Sequence, residues 1–116
     1  MTSVLLCLAL SAAPVQGDSQ LHIHTEHSFT VADAKERVRL LLDYWSQRFG
    51  VRAEWHGDEA NVLGTVWGVA FRARLTVGAL AVDAEVSDPG AILRGSAHDY
   101  IAGKLRKYLH PRFEDS

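Results

Sequence analysis

Cysteine is nearly absent: Cys7 is the only one in 116 residues. A lone cysteine closes no intrachain disulfide, and the chain has no zinc-type cysteine cluster. An excess of one charge is also missing. The formal net charge is −2, so no overall attraction to nucleic acid exists. The basic residues are scattered, apart from Arg94 and the group Lys104, Arg106, Lys107 and Arg112 near the C-terminus. Long apolar runs are lacking too. The run Val4–Leu10 falls far short of the about 20 residues that a bilayer-spanning helix takes, so no integral membrane span is expected. A Gly-rich phosphate loop, a nucleophile elbow and a Cys/His pairing are all absent. The expectation is a protein that is not an enzyme and holds no cofactor.

What is present is the ordinary composition of a globular protein, with 47% hydrophobic and 22% charged residues. Its length fits one domain. Residues 1–19 stand apart as an apolar N-terminal extension. Val4–Leu10 followed by Ser-Ala-Ala-Pro-Val-Gln-Gly has the shape of a short export signal ending near residue 17, but no Lys or Arg precedes it. The other reading is an extension translated from an upstream start codon. A single α+β domain is expected over residues 20–110, with 111–116 as a frayed tail.

Residues 21–26 read as a strand. Thr30, with Asp33 three residues on, then opens a helix in the manner of a capping box. Val31, Ala34, Val38, Leu41, Leu42, Trp45 and Phe49 recur at spacings of three and four, and Gly50 is a suitable cap. From Val51 the period becomes two. Strands are expected at 51–56, 61–67, 71–77 and 80–86, with turns at Gly57-Asp58-Glu59, Gly68 and Gly78-Ala79. Arg72 and Arg74 share a polar face, as do Asp83 and Glu85, so opposite charges can pair across neighbouring strands.

A second helix is expected at 91–109. Its apolar side carries Ile92, Leu93, Ala97, Tyr100, Ile101, Leu105, Tyr108 and Leu109. Gly95 and Gly103 inside it suit close packing or a kink. The basic cluster near its end complements the helix dipole. The predicted fold is an antiparallel sheet of four or five strands with both helices on one face, in the order β-α-β-β-β-β-α. Phe71, Leu75, Val82 and Val86 should face Val38, Leu42, Trp45, Ile101 and Leu105. Trp45 and Trp55 read as core. Trp67 lies in a break where its ring is expected to be partly exposed.

The stretch Leu-His-Ile-His-Thr-Glu-His at 21–27 raises the question of a metal. On a strand His22, His24 and Glu26 share one face, with the two histidines about 7 Å apart along the backbone. Imidazoles at that spacing can converge on one ion. A third or fourth ligand is needed, and His27 points the other way. His56 could supply one if its strand lay beside the first. The simpler reading is the wet face of a half-buried strand, and no metal site is expected. Asp83 and Glu85, which could act as paired carboxylates, likewise read as solvated surface.

Several short motifs are shared with one family. They are Ile23-His24-Thr25-Glu26-His27, the helix ending in Phe49-Gly50, Ala53-Glu54-Trp55, Trp67-Gly68-Val69, the Arg74-to-Val77 strand and Lys104-Leu105. From Leu21 to Leu109 the chain resembles the small bacterial polyhydroxyalkanoic acid system proteins. The resemblance implies an accessory role in carbon-storage granule metabolism, in the cytoplasm or on the granule. Partners would be the granule surface, a granule protein or synthase, or a second copy. It carries over no catalytic or binding residue. The alternative is a small-molecule- or metal-binding protein, using the sheet–helix interface or the His22/His24/Glu26 face. A cavity lined by convergent polar groups would favour that alternative.

Overall fold

A computed structural model of the protein describes residues 20–113. The expected extension 1–19 and the end of the expected tail, 114–116, lie outside the described residues. The elements are β1 (Gln20–Glu26), α1 (Val31–Phe49), β2 (Arg52–His56), β3 (Glu59–Val66), β4 (Val69–Val77), β5 (Ala81–Ser87) and α2 (Ala91–Tyr108). The five strands form one antiparallel sheet in the order β1-β5-β4-β3-β2. The fold is α+β, with the predicted order of elements.

Local chemistry sets the ends of α1. The Thr30 hydroxyl accepts the Asp33 amide at 3.1 Å, and the Gly50 amide donates to the Ser46 carbonyl at 2.9 Å. Gly50 has φ +77°, a left-handed cap that favours glycine. Between these caps Ala34, Val38, Leu41, Leu42 and Trp45 are buried.

Strand parity decides which side chains meet those helix residues. Leu75 lies opposite Ala84 and Ala60, and Ile23 lies opposite Ala84, so these residues share the inner face. Val82 and Val86 join them, fully buried, and Phe71 packs against the same core half-covered. Leu105 and Ile101 reach this core from α2. The register is the one predicted.

Four details differ. Leu80 lies in the turn between β4 and β5, not in the strand, and is 77% exposed. Trp55 is half-buried, because β2 is an edge strand; Lys35 and Arg39 sit over its ring instead. Only the second half of α2 is core. Residues 91–96 are all exposed, and Ile92 is 92% exposed. At both Gly95 and Gly103 a methyl group would meet no protein atom closer than 4 Å, so neither marks close packing. The close approach occurs at Gly64 instead, under Val51.

Two side chains tie the ends of the fold together. His27 Nε2 donates to the Gly78 carbonyl at 2.9 Å, while its Nδ1 accepts the Phe29 amide at 3.0 Å. Arg37 donates through Nη1 to the carbonyls of Tyr108 and His110, both at 3.1 Å, and stacks over Phe29. That places a cation on the carbonyl end of α2, where the helix dipole favours it.

Candidate functional site

The polar face of the sheet brings His22 and His24 to one carboxylate. His24 Nδ1 lies 2.6 Å from Asp83 Oδ1, and His22 Nε2 lies 3.3 Å from the same oxygen. Asp83 faces His24 directly across the β1–β5 ladder. The hydrogen bond from His24 holds the Asp83 carboxyl below its ordinary value. The neighbouring row pairs Arg74 with Glu85, with Glu59 at 4.0 Å on the other side. Cross-strand pairing of opposite charges is therefore as predicted for Arg74. Arg72 makes no such pair among the described residues; its amide donates to the Ser87 hydroxyl.

This face does not assemble the candidate ligands. His22 and His24 share one carboxylate, while Glu26 lies a step further along, opposite Ala81. His56 is on β2, at the opposite edge of the sheet from β1. Four strand spacings separate them, roughly 19 Å at about 4.8 Å each. The condition on which His56 could join His22 and His24 is therefore not met. Among the described residues no group of three or more His, Cys, Asp or Glu is placed to hold a metal ion.

The inner face opens into something different. Beyond the core, the β3–β4 hairpin and the first half of α2 stand apart like two jaws. Between them lies a groove of about 260 Å³, floored by Trp45, Val51 and Val86 and walled by Phe71, Leu93 and Tyr100. Its lining is almost wholly apolar. Few polar groups reach it, and two of these are already engaged. The Ser87 hydroxyl accepts the Arg72 amide, and the Tyr100 hydroxyl accepts Trp45 Nε1–H at 3.2 Å. Burial raises the Tyr100 hydroxyl above its ordinary value, so it stays protonated in this setting.

Trp67 also lines the groove. It forms the two-residue turn Trp67-Gly68, with φ +54° and +79°. Positive φ at both central residues defines a type I′ hairpin turn, which usually takes Asn-Gly or Asp-Gly. A bulky ring is an outlier there and costs of order 1 kcal/mol or more. The ring is 82% exposed, touching Phe49 edge-on at 6.0 Å. An exposed ring on a costly backbone makes this turn a candidate contact point. The sequence signals were Trp67 beside Gly68 and the apolar residues of α2. What they missed was the gap between hairpin and helix.

A family model described as "putative polyhydroxyalkanoic acid system protein" matches residues 21–113. The chain belongs to this family. The match runs from the start of β1 past the end of α2, so it includes both the polar sheet face and the groove. Membership links the protein to the polyhydroxyalkanoate system. Among curated proteins, no match was found. No helix among the described residues is long and apolar enough to cross a membrane.

Proposed function

We propose that the protein is a non-enzymatic accessory protein of polyhydroxyalkanoate metabolism, working in the cytoplasm at the granule, and that the groove lined in part by Trp67 is its docking face. The carrying observation is a large ring held exposed, in a costly backbone conformation, at an apolar groove. Polyhydroxyalkanoates are aliphatic polyesters, whose surface offers methyl and methylene groups and ester carbonyls but no hydrogen-bond donors. An apolar groove with few free polar groups suits such a surface. The same lining argues against a polar small molecule, which needs convergent donors and acceptors. Exposed apolar groups clustered in this way mark interaction sites more often than isolated ones do.

The test is sedimentation with lipid-free polyhydroxybutyrate particles. Wild-type protein should pellet with the particles, and Trp67→Gly should lose most of that binding while melting at the same temperature or higher. Equal pelleting of the two proteins, or none by either, refutes the docking face.

A further inference from the structure

We infer that this docking face also recognises anionic phospholipid headgroups, through a row of cations that continues from the apolar groove along α1 and α2. The inference rests on the docking reading above for the choice of face. Two aromatic residues of the groove, Tyr100 and Phe49, each have a cation near the ring. The Lys104 ammonium lies 5.7 Å from the Tyr100 ring and 4.7 Å from the Tyr44 ring. The Arg48 guanidinium lies 5.7 Å from the Phe49 ring. Both Tyr100 and Phe49 wall the groove.

From Lys104 the positive charge continues into a shallow hollow between the two helices. Lys104, Arg106, Lys107 and Arg112 line it, with Asp43 the only carboxylate among the described residues that line it. None of these four cations, nor Arg48, makes an ion pair among the described residues. Arg94, by contrast, is neutralised by Asp88 at 2.8 Å. On α2, Leu93, Ala97, Tyr100, Lys104 and Lys107 recur at spacings of three and four, so they form one stripe, apolar at its start and basic at its end. Lysine stems can lie along apolar surface while their ammonium groups reach outward.

A peptide in this groove would leave its backbone groups unpaired, because the walls offer so few free donors and acceptors. Nucleic acid would use the cations but leave the groove and Trp67 idle. A lipid–water interface uses both, since acyl chains need no hydrogen bonds and phosphates meet the cations. Tryptophan is suited to that boundary, being apolar over most of its ring with one N–H for the wet side.

The experiment compares vesicles of phosphatidylcholine alone with vesicles containing 30 mol% phosphatidylglycerol. Binding is read by sedimentation and by the blue shift of tryptophan emission, with Trp67→Phe separating the shift of that ring from those of Trp45 and Trp55. The protein should bind the anionic vesicles at least tenfold more tightly and lose that preference in 0.5 M salt. Lys104→Ala/Lys107→Ala should weaken anionic binding roughly 30-fold, from about 1 kcal/mol per basic residue at such a surface. That variant should pellet with lipid-free polyester as wild type does. Equal affinity for the two vesicle types, or an unchanged double variant, overturns the inference. Retention on heparin without vesicle binding overturns it in favour of a polyanion site. Polyester binding without vesicle binding removes the headgroup inference alone, and absence of both removes the docking face as well.

Discussion

Replacing Gly64 by alanine should destabilise the fold, although alanine suits a strand better than glycine does. Gly64 pairs with Phe71 in the β3–β4 ladder. A methyl group built on it would lie 2.8 Å from Val51 Cγ1, 2.9 Å from Val51 Cα and 3.1 Å from Val51 Cβ. A side-chain methyl can rotate away, but Cα can move only if the backbone moves. Val51 is 2% exposed and links the cap of α1 to β2, so little freedom remains. Overpacking of this kind costs about 1–3 kcal/mol. Alanine recovers up to about 1 kcal/mol through the unfolded chain. The balance is a loss of about 1–2 kcal/mol. For a domain of this size each kcal/mol moves the midpoint by about 4–8 °C, so Tm should fall by roughly 5–15 °C. Thermal and urea unfolding followed by circular dichroism measure it, and the urea slope should be unchanged. In a Val51→Ala background the cost of the Gly64 change should shrink, a coupling expected of neighbours. A Gly64→Ala protein that melts at or above the wild-type temperature refutes the close-approach argument.

Trp67→Gly should leave Tm unchanged or raise it slightly, because glycine relieves the positive φ while little buried surface is lost; a marked fall would show that the ring supports the fold. His27→Ala should cost about 1–3 kcal/mol in urea unfolding, since the Gly78 carbonyl and the Phe29 amide both lose their partner. Asp83→Asn should cost less than about 1 kcal/mol at neutral pH, the side chain being 43% exposed. Because the folded carboxyl is held below its ordinary value, its stabilisation is present above that ordinary value and fades as pH falls through the depressed one. Wild type and Asp83→Asn should therefore converge in stability at acidic pH, and a gap that widens there contradicts the hydrogen bond from His24.

The elements were legible wherever the deciding contacts are local. Thr30, Asp33 and Gly50 mark α1 because caps act within one turn. The alternation of residues 71–77 and 82–86 assigned the inner face because a one-residue slip would expose every apolar side chain. Strand order was a different matter. Alternation says which face a residue takes but not which strand lies beside it. Sequence reasoning offered His56, not Asp83, as a neighbour of His22 and His24, and only the placement of β1 next to β5 brings Asp83 to His24. The groove escaped for a similar reason. Ile92, Leu93 and Tyr100 announce an apolar helix side, yet periodicity carries no information about whether anything covers it.

The placement of β1 beside β5 also sets a timetable. Strands β2 to β5 follow one another through short turns and can pair as they are made. The single ladder partner of β1 arrives about sixty residues later, as the His22–Asp83 separation of 61 positions shows. At a synthesis rate of about 5–20 residues per second, the first strand waits roughly 3–12 s with both edges open. Closing so long a loop delays the final pairing further in the entropic sense. The strand that opens the fold in sequence is thus the one that completes the sheet in time.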